Sequence, residues 1–148
     1  LESNIGDVMK VIEGLNDFGQ KVDKIYNEKN QLIEEQTFGK MLGLFKTKSP
    51  IDTMKYEYDY NGFCVKTIYA SRKETYWTKK HFYDSNGLKI KDIQIDDGGE
   101  GYVNFEYDEN GYCIAEEGVL SGGHKYRNTW KVNSNGNKIP MSDCHYDY

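Results

Sequence analysis

Apolar and polar residues alternate along most of this chain, and short clusters of turn-forming residues interrupt the alternation at regular intervals. A period of two is the mark of a strand with one face turned toward a core. Past residue 53 the interruptions carry an Asn-Gly pair four times. These pairs are Asn61-Gly62, Asn86-Gly87, Asn110-Gly111 and Asn135-Gly136, spaced by 25, 24 and 25 residues. The flanks repeat as well: YDYNGFCV at 58–65, YDSNGLKI at 83–90 and YDENGYCI at 107–114. VNSNGNKI at 132–139 is a fourth copy that lacks the Tyr-Asp. Asn-Gly between alternating flanks predicts a two-residue hairpin of type I′, with positive φ at both central residues. Ser71–Glu74, Asp96–Gly99 and Ser121–His124 form a second set of turns midway between the first. Each repeat reads as two strands and two reversals, and connections this short make neighbouring strands antiparallel.

The first 38 residues follow the same rule in degenerate form. Asp17-Phe18-Gly19 and Glu28-Lys29-Asn30 are turn candidates, with QKVDKIYN between them and QLIEEQTF after them as strands. Residues 5–15 read as a strand in phase with these turns. A helix is the competing reading, because Ile5, Val8, Met9, Ile12 and Leu15 recur at helical spacing. Residues 39–52, with two glycines, Pro50 and a small apolar cluster, form a connection or insertion.

Aligning the copies on Asn-Gly sorts side chains by face. Tyr58, Tyr83, Tyr107 and Val132 share a position, and Tyr56, His81, Phe105 and Trp130 share another on the same face. Strict alternation adds Phe63, Val65, Leu88, Ile90, Tyr112, Ile114 and Ile139 to it. The other face carries Glu57, Lys66, Lys89, Lys91, Glu106, Glu117, Lys131 and Lys138. About eleven strands with one apolar face predict a sheet that hides that face by curling. The expected fold is all-β and spans 1–148 as a single repeat domain. It is an antiparallel meander of hairpins curled into an open barrel, a rolled sheet or a solenoid-like stack.

Composition narrows the function. With 14% aromatics, 13 tyrosines and 15 glycines among 148 residues, the chain is unlike a disordered one. A net charge of −5 argues against a nucleic-acid partner. No apolar run reaches the ~18 residues expected of a membrane-spanning helix.

The unit Tyr-x-Tyr-Asp-x-Asn-Gly-x-x-Ile/Val resembles the tyrosine–aspartate (YD) repeat of the Rhs superfamily over residues 54–140. The matching positions are Tyr58, Asp59 and Gly62; Tyr83, Asp84 and Gly87; and Tyr107, Asp108 and Gly111. The Arg-Leu that commonly follows that family's glycine is replaced here by Phe63-Cys64, Leu88-Lys89 and Tyr112-Cys113. The resemblance implies a bacterial surface or secreted protein whose curved antiparallel sheet serves as shell, scaffold or adhesive surface. HFYDSNGLKI at 81–90 is similar to the choline- or glucan-binding repeats of cell-wall proteins, whose tryptophans clamp choline or sugar. Only Trp77 and Trp130 are present here, at non-equivalent positions.

Candidate chemistry is sparse. Cys64 and Cys113 hold the same repeat position two copies apart, so a meander places them about 19 Å from one another at ~4.8 Å per strand. A disulfide needs Cα atoms within about 7 Å, and both thiols are expected to be free. His81 fits the aromatic column as a space-filling ring. Asp143, Cys144 and His145 are metal-ligand types without a second cluster to complete a site. Asp59, Asp84 and Asp108 precede turns, where Asp bonds nearby backbone amides. No metal or cofactor is expected, and no catalytic constellation converges.

The expected function is therefore a non-enzymatic module of the bacterial surface or exterior, acting in adhesion, glycan binding or scaffolding. The alternative is an intracellular protein-interaction module of the immunity type. The partner is a cell-wall or surface glycan, or another protein. Trp77, Tyr76 and Tyr102 are the candidate sugar-stacking residues. Met41, Leu42, Leu44 and Phe45, outside the repeat ladder, either cover an open end of the sheet or contact a partner.

Overall fold

The structure, a computed structural model, describes residues 8–41, 45–140 and 145–147. The described residues form strands and turns and contain no helix. The strands are β1 (Val8–Leu15), β2 (Lys21–Asn27), β3 (Leu32–Thr37), β4 (Lys40–Met41), β5 (Phe45–Lys46), β6 (Asp52–Tyr58) and β7 (Cys64–Ser71). They continue as β8 (Glu74–Tyr83), β9 (Lys89–Asp96), β10 (Gly99–Tyr107), β11 (Cys113–Val119), β12 (Lys125–Val132), β13 (Lys138–Pro140) and β14 (His145–Asp147). Hydrogen-bonded order follows chain order, β1-β2-β3-β6-β7-β8-β9-β10-β11-β12-β13, with β14 also on β12. β4 and β5 form a separate ribbon within the connection. In this order β1 and β13 are the end strands. Residues 8–15 are a strand paired antiparallel with β2, so the turn phasing decides between the two readings of that segment. The chain divides into two compact units, 1–78 and 79–148, with the boundary inside β8.

Seven loops share one backbone geometry, and it differs from the expected type I′ hairpin. Asp59 N–H donates to the Phe63 carbonyl oxygen at 2.8 Å, and Gly62 N–H donates to the Asp59 carbonyl oxygen at 3.1 Å. The same pair of bonds closes 16–20, 27–31, 84–88, 108–112, 120–124 and 133–137. This is a three-residue loop, a type I turn followed by one left-handed residue that makes a bulge. The left-handed residue is Gly19, Asn30, Gly62, Gly87, Gly111, Gly123 or Gly136. The asparagine of each Asn-Gly pair keeps negative φ. Type I′ geometry appears instead at Arg72-Lys73, with φ of 49° and 71°.

The first residue of the loop explains its stability. Asp59 Oδ1 accepts from the amides of Asn61 and Phe63, both at 2.9 Å. Asp84, Asp108, Asn133, Asn16 and Asn27 do the same in their own loops. Only 120–124, which starts at Leu120, lacks such a cap among these seven loops. The short oxygen-bearing side chain satisfies two amides that the turn would otherwise leave to water.

The loop alters the expected pairing only beside the turn. Tyr58 pairs with Cys64 and Tyr56 with Thr67, with a register shift between Glu57 and Tyr58. The same shift occurs between Glu106 and Tyr107, which places Tyr107 opposite Cys113 and Phe105 opposite Glu116. The third loop residue shifts the pairing beside the loop by one, and the bulge then restores the register of a two-residue loop, so that Tyr56 still faces Thr67 and Phe105 still faces Glu116. Phe63, Ile90, Tyr112 and Ile139, expected in the core, are exposed.

Burial is accordingly slight. Among the described residues the buried hydrophobes are Phe38, 6% exposed, and Ala115, 2% exposed. Among the described residues, the elements in contact within each unit are neighbouring strands. Much of the stability therefore rests on ladders, loop caps and cross-strand pairs.

Candidate functional site

The Arg72-Lys73 turn holds the ends of β7 and β8 together, and beside it the first unit assembles three rings. Tyr69 on β7 meets Tyr76 edge-on at 5.8 Å between centroids and Trp77 at 5.7 Å with a 35° tilt. Tyr69 Oη donates to Asp52 Oδ1 at 3.0 Å. Burial, and then that carboxylate, hold the Tyr69 phenol above its ordinary pKa. Trp77 is half-buried, whereas Tyr76 is 61% exposed. The cluster offers flat apolar surface with an ordered polar edge, suited to stacking on a ring-shaped ligand. Sequence patterning singled out Tyr76 and Trp77 but missed Tyr69, which alternation alone does not distinguish from its neighbours.

Tyr102 belongs to the second unit and is 40% exposed. Lys91 Nζ stands 5.1 Å from its ring centroid, so a cation already occupies that aromatic surface. Trp130 is likewise covered by Lys138 Nζ at 4.4 Å. Of the stacking candidates, Tyr76 and Trp77 are thus brought together with Tyr69, and Tyr102 is described with the second unit.

The connection is built around a residue that the sequence did not flag. Phe38 is buried with Lys21 Nζ at 5.6 Å and Lys46 Nζ at 4.9 Å from its ring. Gly39 donates to Thr47 Oγ1 at 3.1 Å and accepts from the Thr47 amide at 2.9 Å, which ties the segment down. Met41 and Phe45 pair through their backbones. Leu42 and Leu44 lie outside the described residues, as do the side chains of Met41 and Phe45.

His81 is more than a space-filling ring. Its Nδ1 lies 2.6 Å from Asp92 Oδ1, and Lys89 Nζ lies 3.0 Å from Asp92 Oδ2. Asp92 is 7% exposed on β9, and a carboxylate that deep needs such partners. The sequence signal was available: Asp92 interrupts the run Ile90-Lys91-Asp92-Ile93 two strands' worth of alternation from His81. No three His, Cys, Asp or Glu side chains converge as a metal-holding group among the described residues. Asp143 and Cys144 lie outside those residues.

Cys64 and Cys113 form no disulfide among the described residues. Each sits on the backbone two residues on, at 3.5 Å from the Lys66 and Ala115 carbonyl oxygens respectively. No protein-family model matches the chain, and comparison with curated proteins finds no match either.

Proposed function

We propose that this chain is a non-enzymatic repeat module of the YD type, from a bacterial surface or secreted protein, that acts in adhesion, glycan binding or scaffolding. One observation carries the reading. The Tyr69–Tyr76–Trp77 cluster presents a 61%-exposed ring, Tyr76, beside two further aromatic rings. A sugar ring has an apolar C–H face and a polar rim, and the cluster complements both. The capped hairpins supply a rigid, regular support for that surface.

A glycan array, followed by tryptophan fluorescence titrated with peptidoglycan fragments, tests the proposal. Binding by the native chain that is weakened at least tenfold by Trp77→Ala supports it. No array hit and no spectral shift remove glycan binding and leave scaffolding or protein contact. The lack of a disulfide at Cys64 and Cys113 among the described residues favours a second reading, an intracellular immunity-type module in a reducing compartment. An adjacent toxin gene would select that reading, and an export signal would select the first.

A further inference from the structure

The capped loops of the second unit line up along one end of its strands. β8, β10 and β12 alternate with antiparallel neighbours and so run parallel to one another, each delivering its loop at its C-terminal end. Those loops are 84–88, 108–112 and 133–137. Two strands separate one from the next, an advance of about 10 Å at ~4.8 Å per strand. Between the second and third lies a groove of about 500 Å³, lined by Asp108, Asn110, Tyr112, Val132, Asn133 and Ser134.

The groove is shaped by the loops themselves. Tyr112 leans on the glycine of the next loop, where a Cβ on Gly136 would meet Tyr112 Cε1 at 3.2 Å. The ring is nevertheless 42% exposed. Asp108 Oδ1 and Asn133 Oδ1 are committed to their own loop amides, which fixes the groove walls. Asn110 and Ser134 are exposed, bringing amide and hydroxyl groups to the opening. The lining thus combines one half-exposed aromatic ring with uncharged donors and acceptors and a single carboxylate.

We propose that this groove is a saccharide subsite, and that successive loops carry successive units of one linear glycan. The inference rests on the glycan-binding reading above and places a binding position within it. Tyr112 stacks on the C–H face of a sugar, while Asn110 and Ser134 take its hydroxyls. An advance of about 10 Å per loop corresponds to about two linked sugar rings; Leu88 and Asn137 stand where this loop has Tyr112, so among the three loops this one supplies the stacking ring.

Titration calorimetry with the disaccharide and the hexasaccharide of chitin, on the native chain and variants, tests this. The expected result is tighter binding of the hexasaccharide and at least a tenfold loss of its affinity in Tyr112→Ala. Asn110→Ala and Ser134→Ala alter exposed side chains that cap neither loop, so they probe the groove where Tyr112→Ala also disturbs packing on Gly136. Each should weaken the hexasaccharide several-fold at unchanged melting temperature. If Trp77→Ala abolishes binding while Tyr112→Ala, Asn110→Ala and Ser134→Ala bind as the native chain does, the groove is wrong and the glycan surface stands. If the native chain binds neither these sugars nor any array glycan, both readings fall.

Discussion

The hydroxyl of Tyr107 donates to the backbone carbonyl oxygen of Lys89 across 2.6 Å. Tyr58 makes the same bond to Leu32 at 2.7 Å. Each tyrosine directly precedes a loop cap, and each acceptor lies five residues past the cap of the preceding loop, Asp84 or Asn27. The Tyr of Tyr-Asp thus fastens one hairpin to the one before it, while the Asp closes its own loop. Tyr107→Phe leaves that carbonyl without its donor and should cost about 1 kcal/mol, seen as a lower urea midpoint at unchanged slope.

Asp84 Oδ1 serves the Asn86 and Leu88 amides at 2.8 and 2.9 Å. Asp84→Ala should lower stability by about 1–2 kcal/mol. Asp84→Asn should recover most of it, since Asn16, Asn27 and Asn133 already fill this position. Paired melting curves of the two variants check this. Equal loss in both would mean that the carboxylate charge, not its geometry, holds the loop.

Two strand glycines should answer differently to the same change. A Cβ on Gly118 would collide with the Tyr102 carbonyl oxygen and lie 3.0 Å from Tyr126 Cε1. Gly118→Ala should therefore destabilise by about 1–3 kcal/mol through overpacking. Nothing lies within 4 Å of the corresponding point on Gly14. Gly14→Ala should stabilise by up to about 1 kcal/mol through lower chain entropy.

Stability should fall on both sides of neutrality. Burial, then the nearby Cys113, Asp84 and Asp92, raise the Tyr107 phenol in the folded chain. Burial and the Glu35 carboxylate raise Tyr56 likewise. A raised folded value gives stability that is full below the unfolded tyrosine pKa, about 10, and is lost as pH climbs through the folded one. Glu106 is held low by its bond to Arg127, so its contribution is full above about pH 4.3 and fades as pH falls further. Melting temperature against pH should show both declines. Tyr56→Phe should soften the alkaline limb, and Arg127→Gln the acid limb slightly, because that pair is exposed.

The loop positions were legible because Asp or Asn and Gly recur at fixed offsets, and each does local work that no distant contact alters. The pairing beside each loop was not legible. It depends on whether Asn61 or only Gly62 takes positive φ, a choice that the same two letters permit either way. That one dihedral sets Cys64 rather than Val65 opposite Tyr58, and a bulge then returns Tyr56 to its place opposite Thr67. Tyr76 and Trp77 could be picked from position, but Tyr69 and the Tyr112 groove emerge only once strands two or more residues out of step are laid side by side. Phe38 was hidden for another reason: the lysines over its ring come from Lys21 and Lys46, on either side of it in the chain.

The loops that begin with a cap also bear on how the chain reaches this state. Most strands pair with the strand just before them in sequence, across loops of three residues that their own side chains close. Native pairing is therefore local, although an all-β chain ordinarily folds slowly because its contacts are remote. Assembly can proceed as zippering from each capped loop, on the microsecond scale of single hairpins. The junction of β3 with β6, like that of β12 with β14, is an exception, and it must wait for residues 38–51 to bring Thr37 to Asp52. That closure, anchored by Phe38, is where the rate-limiting step of folding should reside.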